Sequence, residues 1–293
     1  MFPFDIVKQE AVEKGWSGDG KYCVSDADGN RYLLRTASIS QAAQKKDEFY
    51  WMQQVEKTGI PMCRPLHLIE TETEIHTLHS WIDGEDAEDI IPSLPHSVQF
   101  SYGVQAGEYL KKIHSIPAPA CIPEWEGRFN AKIDRKIRMY QECPLKYEGG
   151  EAFLAYLSTH RHLLKGRPLT FQHGDFHIGN MMLDRQGKLY IIDFNRFDFG
   201  DPWEEFNRIV WCGQKAPAFA AGMVQGYFDG NVPQAFWELL ALYIASNSLS
   251  SLPWAIPYGE EEIAVMQKQG QDILSWYDSF RTVIPSWYKA FAR

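Results

Sequence analysis

Strand-type patterning crowded into the first 83 residues, helical spacing through most of the remainder, and one polar constellation between residues 171 and 206 together predict an α+β chain of two lobes. A small β-rich lobe is expected over 1–83 and a larger, mainly helical lobe over 84–293. The 293 residues, 45% hydrophobic and 23% charged, are enough to bury a large core, and they suit one compact unit of two lobes rather than a string of modules.

In the first lobe, Glu13-Lys14-Gly15-Trp16-Ser17-Gly18-Asp19-Gly20-Lys21-Tyr22-Cys23-Val24 reads as glycines punctuating the entry to a strand. Asp26-Ala27-Asp28-Gly29-Asn30 is a turn, and Arg31 to Arg35 is the following strand. Together they predict a glycine-containing hairpin at whose tip small residues, Gly18 and Gly20 among them, let backbone N–H groups approach phosphates. Lys45 to Val55 reads as the next helix, with Phe49, Met52 and Val55 facing the core. Glu74 to Ile82 alternates like a strand and stops at Asp83-Gly84-Glu85-Asp86, which marks the lobe boundary. His76 and His79, three apart on that strand, point to opposite faces and make a poor metal pair.

Beyond the boundary, Val98 to Ile113 carries Val104, Tyr109, Leu110 and Ile113 at roughly helical spacing, and Pro117 closes the helix. Residues 118–150 read as an irregular connection with one helix near Ala131 to Tyr140, followed by a helix over Glu151 to Leu164. The aromatic residues after Glu205, from Phe206 to Trp254, read mainly as helix-packing core.

The constellation is His173-Gly174-Asp175-Phe176-His177-Ile178-Gly179-Asn180, followed by Tyr190-Ile191-Ile192-Asp193-Phe194. Met181 to Asp184 and Leu189 to Ile192 are apolar runs around the turn Arg185-Gln186-Gly187-Lys188, so the segment predicts a hairpin. Such a hairpin brings Asn180 and Asp193 together as two oxygen ligands of one hard cation, and Mg²⁺ habitually takes only one or two protein carboxylates. Asp175, on the loop before it, is placed to accept the proton of an attacking hydroxyl. These are the parts of a phosphoryl-transfer site.

Phe171 to Asn180, Ile191-Ile192-Asp193-Phe194, and Phe199-Gly200-Asp201-Pro202-Trp203-Glu204-Glu205-Phe206 resemble the signature of the aminoglycoside phosphotransferase and choline kinase-like family. The resemblance implies the bilobal protein-kinase fold, with Asp175 as catalytic base, Asn180 and Asp193 as Mg²⁺ ligands and His173 shaping the loop. Glu205 stands where the family commonly shows Asp. The family's third strand also presents a phosphate-binding lysine braced by a glutamate, where this chain has Arg35, with Glu48 as its partner. Arginine keeps the charge but is longer and planar. The resemblance further makes 80–83 the hinge, with the backbones of Ser80 and Ile82 toward the purine, and puts the acceptor pocket in the C-terminal region.

The expected activity is therefore Mg²⁺-dependent transfer of the γ-phosphate of ATP or GTP to a small-molecule hydroxyl. The net charge of −9 disfavours nucleic acid and anionic membrane and favours a cationic acceptor, an aminoglycoside-type antibiotic first. Glu204, Glu238, Glu260, Glu261 and Asp272 are candidates to hold its ammonium groups. A choline-like alcohol, homoserine or a sugar are the alternatives, and a catalytically silent nucleotide-binding protein is the reading from another class. No apolar run reaches the eighteen or so residues of a membrane span, the start lacks a signal-peptide pattern, and five scattered cysteines read as reduced thiols, so a cytoplasmic location is expected.

Overall fold

The computed structural model describes residues 2, 4–13 and 18–291, so Gly15 and its neighbours in the expected glycine passage lie outside the described residues. The chain opens with strands β1 (Lys8–Ala11), β2 (Gly20–Ser25) and β3 (Arg31–Ser38), followed by helix α1 (Ala42–Glu56). Strands β4 (Pro65–Glu70), β5 (Glu74–Ser80) and β6 (Gly84–Asp86) complete the first stretch. After a short turn of helix, α2 (Ala87–Ile90), come α3 (His96–Ile113), α4 (Trp125–Glu142), α5 (Glu151–His160) and four short strands, β7 (Thr170–Gln172), β8 (Met181–Asp184), β9 (Leu189–Ile191) and β10 (Asp198–Gly200). The chain ends in helices α6 (Ile209–Lys215), α7 (Pro217–Tyr227), α8 (Gln234–Ala255), α9 (Glu260–Trp276) and α10 (Ser286–Lys289).

Two compact units result. The first joins residues 1–87 to 180–197, and the second joins 88–179 to 198–293. The sequence put one boundary at 83; the structure carries the first unit to 87 and adds the later hairpin, because β6 pairs antiparallel with β8, Gly84 opposite Asp184.

In the first unit, β1 to β5 form one antiparallel sheet in the order β1-β2-β3-β5-β4. The β2–β3 turn is set locally: the Asp26 carboxylate accepts the N–H groups of Asp28 and Asn30 at 3.0 and 2.8 Å, and Gly29 supplies the positive φ of 84°. Val24, Leu34 and Leu78 form the core beneath, covered by Phe4, Tyr22 and Tyr32. Strand β1, absent from the sequence-based expectation, is exposed along its whole length and so carries no apolar alternation to read. Helix α1 starts three residues earlier than expected. Its buried stripe is Lys45, Glu48, Met52 and Val55, at helical spacing but charged in its first half, while Phe49 is only half-buried.

The second unit is mainly helical. Helices α3 and α7 pack backbone against backbone: a Cβ on Gly107 would lie 2.1 Å from the Met223 carbonyl oxygen, and one on Gly226 the same distance from that of Val104. The segment 118–150 is less irregular than expected, because α4 runs 18 residues and buries Trp125, Phe129, Ile133, Lys136 and Tyr140 on one face. Helix α8 and the turn after it, Gln234–Tyr258, are long and apolar enough by composition to cross a membrane, which corrects the expectation drawn from uninterrupted apolar runs. Two thirds (67%) of its most apolar 18-residue window is buried inside the protein, where Phe236, Leu240, Tyr243 and Leu249 are core residues.

Candidate active site

In the first unit the hairpin sets Asn180 beside Asp193. Met181 pairs with Ile191, and the Ile192 N–H donates to the Asn180 carbonyl at 3.0 Å, so the two predicted ligands flank the same end of the ladder. Asp193 then takes φ 64°, a left-handed conformation few non-glycine residues adopt, as the chain turns into the 3₁₀ turn Phe194–Arg196. Among the described residues no three His, Cys, Asp or Glu side chains converge into a ready cage. One amide and one carboxylate are a hard oxygen pair, which fits a cation that draws its remaining ligands from phosphate and water.

Arg35 lies next to this end. Its Nη1 is 3.6 Å from Asp193 Oδ1 and 3.6 Å from Glu48 Oε1, so the expected pairing with Glu48 is present, though loose. Its tightest partner is one that sequence reasoning missed: Nε donates to Asp19 Oδ2 at 3.0 Å, with Nη2 at 2.8 Å from the same oxygen but poorly aligned for a second bond. Lys45, also missed, donates to Asp19 at 2.6 Å and to Glu48 at 3.1 Å. The i, i+3 spacing of Lys45 and Glu48 is the one local signal of this pairing, and the same spacing is common on exposed helix faces. Burial opposes the Arg35 charge, but Glu48, Asp19 and Asp193 more than offset it, and the guanidinium is held above its ordinary range. Burial likewise raises the Asp19 carboxyl, yet Lys45 and Arg35 bring it below the usual value. Lys21, opposite Arg35 in the β2–β3 register, has its ammonium pushed down by burial and by that arginine.

The two predicted glycines differ. A Cβ on Gly18 would meet nothing within 4 Å, whereas one on Gly20 would sit 2.5 Å from Thr36 Oγ1, so Gly20 is required by strand packing. At the hinge, the Ser80 N–H is given to the Arg64 carbonyl at 2.9 Å and its carbonyl accepts the Cys63 thiol at 3.4 Å. The Ser80 backbone is thus committed within the protein, and Ile82 follows the strand as a buried residue. This segment borders a cavity of about 470 Å³, lined also by Met62, Arg64, Lys188 and Tyr190.

In the second unit, β7 leads into the loop that carries Asp175. Gly174 turns it with φ 85°, and the buried Glu205 carboxylate receives the Gly174 N–H at 3.0 and 3.1 Å and the Phe176 N–H at 3.3 Å. The Asp175 N–H reaches His173 Nδ1 at 3.3 Å, and His173 is fully buried. Behind Glu205, His114 Nε2 lies 3.8 Å from its carboxylate while the other ring nitrogen bonds the Tyr227 hydroxyl at 2.9 Å. The glutamate that departs from the family's usual aspartate therefore has a definite role, fixing the backbone on both sides of Asp175. Asp175 itself meets Arg208 Nε at 3.2 Å and His177 Nε2 at 3.8 Å. Asp201 anchors the other side, with Arg167 at 2.6 and 2.9 Å, the Trp203 N–H at 3.0 Å, and its own carbonyl accepting from Gln172 at 2.8 Å.

The acidic residues put forward to hold ammonium groups are mostly occupied. Glu204 is paired with Lys132 at 2.9 Å, Asp272 accepts from Lys268 and Gln214, each at 2.7 Å, and Glu260 and Glu261 lie exposed in the first turn of α9, where they suit the helix dipole.

Solved structures similar to the chain share its fold. They include aminoglycoside phosphotransferase APH(4)-Ia in a ternary complex with ADP and hygromycin B, at TM-score 0.64 and 17% identity over 92% of this chain and 94% of that one. The amicoumacin kinase hAmiN in complex with AMP-PNP, Ca²⁺ and Ami has TM-score 0.66 and 12% identity over 98% of this chain and 93% of that one. A protein described as a fructosamine-3-kinase from Haemophilus somnus has TM-score 0.63 and 14% identity over 92% of each chain. No curated protein sequence matches. The sequence model of the phosphotransferase enzyme family matches residues 8–239, most of the chain, and the chain belongs to that family of kinase-fold phosphotransferases.

Proposed function

We propose that the protein transfers the γ-phosphoryl group of ATP or GTP, with Mg²⁺, to a hydroxyl of a small molecule. One observation carries this reading: an aspartate on a loop whose amides are locked by Glu205, in a chain that also sets Asn180 and Asp193 at one hairpin end beside Arg35. Asn180 and Asp193 would hold the metal, which when bound neutralises charge on the transferring phosphoryl oxygens. Asp175 orients the acceptor hydroxyl and takes its proton, while Glu205 keeps that carboxylate from drifting. Arg35 and Lys45, with Lys21 nearby, supply cations for the triphosphate.

The net charge favours a cationic antibiotic as acceptor; the groups nearest Asp175 favour a metabolite alcohol instead, because the carboxylates there are already paired with cations. Neither nucleic acid nor membrane enters this proposal. Five free cysteines suit action in a reducing compartment, the cytoplasm. The test is a screen of hydroxyl acceptors scored by nucleoside diphosphate release with Mg²⁺. Acceptor-dependent release that disappears on chelation supports the proposal, and nucleotide binding with no turnover on any acceptor would return the protein to the silent nucleotide-binding class.

A further inference from the structure

Next to the loop that carries Asp175, the second unit gathers cations and carboxylates from α4 and the stretch 204–208. Three carboxylates adjoin it: Asp175 has Arg208 at 3.2 Å, Glu204 has Lys132 at 2.9 Å, and Glu205 accepts the Gly174 and Phe176 N–H groups. Glu204 also accepts from Gln172 at 3.3 Å, two residues from Gly174. A third cation remains. Lys136, one turn beyond Lys132 on α4, is buried at 8% exposure and donates to the neutral side-chain oxygen of Asn247 at 3.1 Å. An ammonium has three donors, and among the described residues Lys136 uses one and faces no carboxylate within 4 Å.

An uncompensated buried charge is costly, and a bound anion would offset that cost. The charged groups that act on Lys136 are Lys132, Arg208 and Arg135 against the single Glu204, and burial with these cations pushes its ammonium down to about 7. Lys132, Lys136 and Arg208 in turn lower the Glu204 carboxyl despite its burial. An acceptor bearing ammonium groups would meet repulsion here. An acceptor with an anionic group would supply the missing partner.

Resting on the kinase reading above, we propose that the hydroxyl acceptor carries an anionic group, a carboxylate or a phosphate, bound by Lys136 with Lys132 and Arg208, so that its hydroxyl is presented to Asp175. The chemistry is recognition by paired cations, one of them the planar fork of an arginine suited to bidentate oxyanions. It makes the substrate a hydroxy acid or a phosphorylated alcohol rather than a polyamine.

The test uses the full chain saturated with ADP and Mg²⁺, so that the nucleotide site is filled. Calorimetric titration with inorganic phosphate and with 4-hydroxybutyrate is compared with neutral 1,4-butanediol and cationic 4-aminobutanol. The expected result is binding of at least one anion, weakened roughly tenfold or more in Lys136→Met, recovered in part in Lys136→Arg, with neither diol nor amino alcohol bound. The stronger of the two anions tells carboxylate from phosphate recognition. Failure of both anions to bind, or equal anion affinity in wild type and Lys136→Met, overturns the proposal. If Lys136→Met does not fold, Lys136→Gln takes its place. The acceptor screen separates this inference from the kinase reading. Lys136-dependent anion binding without phosphorylation of any acceptor leaves the inference standing and removes the kinase. Phosphorylation of a cationic or neutral acceptor with KM unchanged in Lys136→Met does the reverse.

Discussion

Arg35 divides its guanidinium among Asp19, Glu48 and Asp193, and that crowding decides what its replacement should do. Lysine keeps one charge but loses the fork, so Arg35→Lys is expected to retain substantial activity, whereas Arg35→Ala should raise the nucleotide KM or lower kcat by the equivalent of about 1.5–3 kcal/mol. Glu48→Ala should cost less and add little on top of Arg35→Ala, since partners in one network are not additive. Steady-state kinetics over that double-mutant cycle measure both statements; full additivity would disconnect Glu48 from Arg35. Lys45 supplies the reason Glu48 is expected to matter less, because Lys45 is its closer partner. In the second unit, Asp175→Asn keeps shape and hydrogen bonding while removing the proposed base. Turnover on any accepted substrate should fall by a factor on the order of 10²–10⁴ with nucleotide affinity little changed. A mutant with near-normal kcat would take Asp175 out of the chemistry.

Helices α3 and α7 govern the element scale, because they carry the groups that brace the loop from behind. His114 follows the end of α3, Tyr227 ends α7, and the two bond each other next to Glu205. Their alignment depends on close backbone approach at Gly103, Gly107, Gly222 and Gly226, where a Cβ would fall within 2.2 Å of a facing carbonyl oxygen. Backbone cannot yield as a flexible side chain does. Gly226→Ala should therefore force the helices apart and cost about 1–3 kcal/mol of stability, although alanine has the higher helix propensity. Denaturant unfolding measures it, and Gly127→Ala, where a Cβ meets nothing within 4 Å of α4, is the control expected to be neutral or stabilising. If Gly226→Ala unfolds like the wild type, the close approach carries no energetic weight.

For the whole molecule, two buried bases set the direction of the pH dependence. Burial, then Arg35 and Lys45, hold His79 down to about 3, and burial, then Lys132, holds Lys136 down to about 7. Both groups bind protons more readily in the unfolded chain. Stability from these groups should therefore rise with pH, between about 3 and 6.5 for His79 and between about 7 and the ordinary lysine value of about 10.4 for Lys136. Lys136→Met removes the second dependence and an uncompensated cation together, and is expected to stabilise the protein near pH 6 by about 1–2 kcal/mol. Thermal melts of wild type and mutant from pH 5 to pH 10 check this; parallel curves would mean that Lys136 titrates as an ordinary surface lysine.

Parts of this protein are legible in the chain itself because they are local. The Asp26 turn, the hairpin that joins Asn180 to Asp193, the helix over 96–113 and the loop of His173 to Asn180 are each specified by residues a few places apart, whose turn chemistry and periodicity act without reference to the rest of the chain. The same short spacing made the family resemblance specific between residues 171 and 206. Apart from Arg35 with Glu48, which the family resemblance implied, charge pairing was not legible. Asp19 is reached by Arg35 and by Lys45 across 16 and 26 residues, and Lys136 is surrounded by groups from α4, from the stretch 204–208 and from α8. Whether a lysine on an amphipathic helix is solvated or buried depends on what packs over it, and periodicity records only the apolar part of that face. Sequence alone thus determined the family and its reaction class and singled out candidate residues for its centre, because catalysis needs fixed chemical types at fixed short spacing. Tertiary structure alone decided which charges are neutralised and which is left over, because that depends on distances between segments far apart in the chain.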